Sequence, residues 1–205
     1  MTESVGSEAR REIAGTLADG EVIDAVVLTG ANGVRARILS LGATLQSFSI
    51  RNDAGGSTDV VLGFDDVRNY AVGDHFFGAT IGRFANRIAD GRFILDGAAW
   101  SLAQNEGSSS LHGGADRFDK AIWRIGLVEN GPPARVALHL ISPDGAGGYP
   151  GELHATTTYS LDDAGSLQIV FEAATSKPTV VNMTNHALFN LAGEGQNAGA
   201  LGHRL

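Results

Sequence analysis

Leu153-His154-Ala155-Thr156-Thr157-Thr158-Tyr159-Ser160-Leu161 is the stretch that decides the fold. Leu153, Ala155, Thr157, Tyr159 and Leu161 fall on every second position, the period of a strand with one side in a core. Asp162-Asp163-Ala164-Gly165 then supplies turn residues, and Leu167-Gln168-Ile169-Val170-Phe171 resumes the extended pattern. Two alternating runs around a polar, glycine-containing turn predict an antiparallel hairpin.

The same period recurs on the N-terminal side. Arg135-Val136-Ala137-Leu138-His139-Leu140 and Val34-Arg35-Ala36-Arg37-Ile38 alternate, and residues 39–50 continue with more mixed burial around Gly42. Arg92-Phe93-Ile94-Leu95 and Ala98-Ala99-Trp100-Ser101-Leu102 flank Asp96-Gly97, a two-residue hairpin signal because glycine tolerates positive φ. Helical patterning is nearly absent. Residues 7–17 offer only a weak amphipathic turn, interrupted by Gly15. An all-β protein of many short strands follows, a sandwich or barrel-like stack of sheets. Residues 1–11 are expected to be a solvated, flexible lead-in and 12–205 to lie in a single domain. Gly131-Pro132-Pro133 and Pro143-Asp144-Gly145-Ala146-Gly147-Gly148 read as loops within it.

Composition narrows the function. The 28 glycines show no triplet period and so mark turns rather than a fibre. A formal net charge of -8 disfavours nucleic acid and anionic lipid, which reward clustered Lys and Arg. With no cysteine, disulfides, thiolate nucleophiles and cysteine-ligated zinc are excluded. The N-terminus has no apolar signal-peptide core and no apolar run approaches a membrane span, so a cytoplasmic protein that engages no membrane is expected. No short-spaced His/Asp/Glu pair supports a metal site, and neither a phosphate-binding loop nor a dinucleotide fingerprint is present.

Chemistry concentrates in three places. His112 stands in Leu111-His112-Gly113-Gly114, where the glycines permit close approach of backbone or ligand. The bland alternative is a loop histidine before a turn. His186 stands in Asn182-Met183-Thr184-Asn185-His186, with Asn190 just beyond, and those amides can fix a tautomer and orient the ring. An imidazole suits acid work near neutral pH. Here the alternative is a structural Asn-rich turn. Asn86 and Arg87 in Gly82-Arg83-Phe84-Ala85-Asn86-Arg87-Ile88 offer an amide and a planar five-donor fork for hydroxyls or carboxylates, or else a surface ion pair. Tyr149 reads as a packing residue in a rigid turn rather than a platform for a sugar face.

In order and spacing, segments 42–45, 59–65, 82–88, 105–114, 118–123, 142–144, 148–151 and 182–193 resemble the aldose 1-epimerases, or galactose mutarotases. The resemblance implies a galactose-mutarotase-like β-sandwich with a concave site for a small aldose sugar and no metal or cofactor. It makes His186 the general acid toward the ring oxygen, His112 the second histidine steadying that oxygen, and Asn86 with Arg87 a substrate-binding pair. Family members often carry a Ser-Tyr-like pair after the acid histidine, where this chain has Ala187-Leu188. They are also longer. Their glutamate base and a ligand-binding aspartate lie in a C-terminal part with no counterpart before Leu205, so an incomplete, N-terminal portion of the sandwich is expected here. Glu106 and Glu194 lie near the key histidines in sequence, with nothing to mark them as replacements.

Overall fold

Leu153, Ala155, Thr157, Tyr159 and Leu161 are each 1% exposed or less, so the predicted face is realised in full. The computed structural model describes residues 6–52, 55–196 and 199–204. Five antiparallel strands make a first sheet in chain order: β1 (Glu8–Thr16), β2 (Val22–Thr29), β3 (Arg35–Leu39), β4 (Thr44–Arg51) and β5 (Ser57–Asp59). The one α-helix among the described residues, α1 (Arg68–Ala71), is a single turn. Short strands follow: β6 (Thr80–Ile81), β7 (Arg87–Ile88), β8 (Arg92–Leu95), β9 (Ala98–Ser101) and β10 (Ser110–Leu111). A second sheet takes β11 (Arg124–Glu129), β12 (Ala134–Ser142), β13 (Leu153–Leu161) and β14 (Leu167–Thr175), again in chain order, and β15 (Thr184–Asn185) comes last.

Both predicted hairpins form. Gly165 adopts φ +88° and Asp162 closes the β13–β14 turn, its Oδ1 accepting the Ser166 N–H at 2.8 Å. At the β8–β9 turn both Asp96 (φ +50°) and Gly97 (φ +78°) are left-handed, the pairing that matches the twist of the flanking strands.

The two sheets face each other. Val26, Leu28, Ala36, Ile38 and Leu45 of the first pack against Val136, Leu138, Leu153, Ala155 and Tyr159 of the second, with Phe118 and Trp123 filling between them. Strand β2 is buried on both faces, because Ile23 and Ala25 point the other way and are covered with Leu39 by Val67 and Tyr70. That second layer explains why β2 reads as a nearly continuous apolar run instead of an alternating one.

The lead-in expectation needs correction. Residues 8–11 belong to β1, paired with β2 from Glu8↔Thr29 to Thr16↔Val22. Ala9 packs on the core while Arg10, Arg11 and Glu12 carry charge along the sheet edge, and Arg11 Nη2 reaches Asp24 at 2.6 Å. Charged side chains suit an edge strand, where they deter pairing with other chains, so polarity here marked an edge and not a frayed end. Residues 1–5 of the expected lead-in lie outside the described residues. Segments 194–196 and 199–204 are turns and irregular chain, as their glycine content predicts.

Candidate functional site

Segment 82–88 is the middle lane of the site. On one side Asn182 N–H donates to Arg83 O at 2.9 Å and Ala85 N–H to Asn182 O at 2.7 Å. On the other, β10 pairs with β7, and His112 N–H donates to Asn86 O at 3.1 Å. The segments bearing His112 and His186 therefore lie either side of Asn86 and Arg87. Three motifs far apart in sequence become neighbours.

Two residues make that lacing possible. Gly113 has φ +96°, and a Cβ there would sit 2.0 Å from Gly82 O, so only glycine lets the two backbones meet. Arg83 is 1% exposed and donates to the carbonyls of Ser142, Pro143, Pro150 and Gly151 and to Ser142 Oγ. Burial pushes its guanidinium pKa down. The five hydrogen bonds tie segment 82–88 to the 142–151 loop.

The rings meet over Phe76. His112 and His186 stand edge to face with centroids 5.2 Å apart, and the Phe76 centroid is 4.8 Å from His112 and 5.6 Å from His186. The Arg117 guanidinium sits 4.8 Å from the Phe76 ring centre, held by Asp74 at 2.5 Å and Asp119 at 3.1 Å. His112 and Asn86 are both left-handed, at φ +53° and +67°. Such strain persists where surrounding contacts over-determine the backbone, and these two residues are linked twice. The second link is from Asn86 N–H to His112 Nδ1 at 3.0 Å. An accepting Nδ1 puts the proton of neutral His112 on Nε2 and leaves that N–H free to donate.

The two histidines have different surroundings. Burial first, and then the charges of His186, Arg87 and Arg117, hold His112 below the usual imidazole range, with Glu106 opposing them. His112 is thus kept neutral at pH 7. The His186 Nδ1 is buried with no hydrogen-bond partner among the described residues. Neither Asn182, Asn185 nor Asn190 reaches it, which corrects the expectation that these amides orient the ring. Asn182 Nδ2 donates to Ala85 O at 3.1 Å. Asn185 Nδ2 donates to Gly78 O at 2.6 Å and to Tyr159 Oη at 3.0 Å, and Asn190 bonds the backbone at 192 and 196. Asparagine satisfies nearby backbone readily, and here that fixes the segment carrying the imidazole.

Arg87 stands at the rim, exposed, with Nε and Nη2 on the two Glu106 oxygens at 2.5 and 2.6 Å. The predicted cation is at the site, but as half of an ion pair. Tyr149 is buried, stacks near Phe93 and lies 5.8 Å under Arg83, so it packs as expected. His75 turns to Phe64 and Phe77 and joins neither histidine. Among the described residues no three His, Asp or Glu side chains gather as a metal site. The sequence missed Phe76 and Arg117, and marked Glu106 only by its place near His112, six positions before it in the turn that feeds β10.

The aldose 1-epimerase family model matches residues 24–205. Galactose mutarotase of Bos taurus is 46% identical over 162 residues, covering 79% of this chain and 46% of that protein. Aldose 1-epimerase of Escherichia coli is 39% identical over 176 residues, covering 86% of this chain and 50% of that protein. The crystal structure of a galactose 1-epimerase from Lactobacillus acidophilus superposes with a TM-score of 0.80 at 29% identity, over 90% of this chain and 53% of that one. The chain spans about half the length of the curated relatives it matches.

Proposed function

Because this chain belongs to the aldose 1-epimerase family, we propose that it builds the sugar-binding, acid-side part of a mutarotase site acting on an aldohexose such as glucose or galactose. The observation that carries the reading is the pair of imidazoles 5.2 Å apart in unequal environments. Two imidazoles held differently, His112 bonded through Nδ1 to Asn86 N–H and His186 with its Nδ1 unbonded, can divide the work. His186 is the proton donor to the ring oxygen. His112, neutral with its proton on Nε2, donates a hydrogen bond to the same oxygen and stabilises charge without giving up a proton. Asn86 and Arg87 grip hydroxyls at the rim.

The reaction needs a base at the anomeric hydroxyl while the acid protonates the ring oxygen. The C–O bond of the ring then breaks, the C1 carbonyl forms, rotation about C1–C2 exposes the other face, and reclosure gives the second anomer. Acting together, acid and base spare the site an isolated alkoxide. The base is assigned to polypeptide outside the half that this chain shares with its relatives. One feature favours a second reading, a carbohydrate-binding module without turnover: Glu106, the carboxylate beside His112, is paired to Arg87 and held below its usual range by it, which makes it a poor base.

Polarimetry of freshly dissolved α-D-glucose and α-D-galactose tests the proposal. Acceleration that disappears in His186→Ala is expected of a competent site. A cooperatively folded chain that binds sugar but leaves the buffer rate unchanged establishes the binding module instead, and one that does neither ends both readings.

A further inference from the structure

Arg87 brings a permanent cation to a rim that, on the reading above, takes an uncharged sugar, and a bare guanidinium there would favour anions. The structure shows what is done with that charge. Glu106 takes one N–H from Nε and one from Nη2, and Asn86 Oδ1 takes one from Nη1 at 3.3 Å. Of the five N–H groups of a guanidinium, one on each terminal nitrogen is left for a ligand. The pair is bidentate, so the plane of the fork is fixed as well as its charge cancelled. Both groups are close enough to His112 to act on its proton in opposite senses.

Glu106 is held for this contact by its turn. Its backbone exchanges hydrogen bonds with Ser109 at 3.2 and 2.9 Å, and the neighbouring Asn105 side chain bonds Leu111 N–H at 2.7 Å and Leu111 O at 3.0 Å. The β10–β7 register, Leu111↔Arg87, then sets that turn alongside the guanidinium. With side chains 54% and 42% exposed, the ion pair adds little to stability. Its geometry has another use.

We propose that Glu106 is a specificity-determining residue: by neutralising and orienting Arg87 it makes the rim select neutral aldoses over sugars bearing a carboxylate or phosphate. The inference rests on the sugar-site reading above. In Glu106→Gln the amide keeps the shape and loses the charge, so Arg87 is released to pair with an anionic group on the ligand.

The experiment titrates D-galactose and D-galacturonate, which differ only at C6, into wild-type protein, Glu106→Gln and Glu106→Gln/Arg87→Ala. The His112 and His186 ring NMR signals report binding, and melting curves confirm that all three are folded. The wild type should prefer galactose. Glu106→Gln should shift the ratio of the two dissociation constants by about fivefold or more toward galacturonate at low ionic strength, a gain that fades with added salt. The double variant should lose the gain. An unchanged ratio in Glu106→Gln, or a gain that survives removal of Arg87, overturns the inference while leaving galactose binding intact. If wild-type protein ignores galactose the sugar reading itself fails, and galacturonate ignored by Glu106→Gln counts separately against the role given to Glu106.

Discussion

The β13–β14 hairpin and the histidine site lie within one chain but are held together differently. The hairpin is regular: alternate side chains enter a two-sheet core, backbone groups pair strand to strand, and burial supplies the energy. The site is almost all turns and two-residue strands. It depends on left-handed Asn86 and His112, a glycine at a backbone crossing, and asparagines bonded to carbonyls. Apolar area stabilises the first and hydrogen-bond geometry the second. A small core loss should therefore cost stability everywhere, whereas a small polar change in the site should cost position before stability.

Leu138→Ala tests the first half of that contrast and carries the largest expected effect. Leu138 is fully buried between the sheets, so truncation should cost about 2–5 kcal/mol in urea unfolding. The ring signals of His112 and His186 in the folded fraction should barely move. If they do move, the two regions are not separable.

Tyr159→Phe probes the seam between them. Tyr159 belongs to the alternating face of β13, yet its hydroxyl donates to Ala43 O at 2.7 Å and accepts from Asn185 at 3.0 Å. Removing it takes one hydrogen bond each from Ala43 O, which keeps Thr80 Oγ1, and Asn185 Nδ2, which keeps Gly78 O, for a loss of about 1–3 kcal/mol. The His186 ring signals should shift too, because Asn185 precedes that residue. Lost stability with unmoved His186 signals would show that the site takes nothing from the seam.

The smallest effect is expected from His112→Asn, an asparagine being tolerant of the left-handed backbone there. His112 is held below its ordinary value of 6.5, so on acidification the unfolded chain takes up this proton before the folded one does. Stability from this source is full above pH 6.5 and is lost as pH falls through the folded pKa of His112. Melting temperature measured against pH should lose that part of its slope in the variant. An unaltered slope would mean that the site does not hold His112 neutral.

Sequence pattern exposed one region far better than the other. Both predicted hairpins were visible because a period of two and a glycine turn are local properties. Strand β1 was not: Glu8, Arg10, Arg11 and Glu12 look solvated, and only the partner strand reveals that their backbone is paired. In the site, His112, His186, Asn86 and Arg87 were legible as residue types and were brought together by the fold. The work of the asparagines was misjudged, since a sequence does not say whether an amide will choose a ring nitrogen or the nearer carbonyl. Phe76 and Arg117 carried no signal at all. Phe76 reaches the histidines through topology, across more than 30 residues of chain before His112, and Arg117, five positions after His112, joins them by lying over the Phe76 ring.

One oxygen ties the three parts of the molecule. The carbonyl of Ala43, in the turn between β3 and β4, accepts from Tyr159 Oη at 2.7 Å and from Thr80 Oγ1 at 3.2 Å, the latter on the strand that pairs with β15. First sheet, second sheet and site strand thus share a single acceptor. Amide protons in β6 and β15 should then exchange with deuterium in the same opening event as those flanking the 40–44 turn, and a ligand that quiets the imidazoles should slow exchange in a turn it never touches.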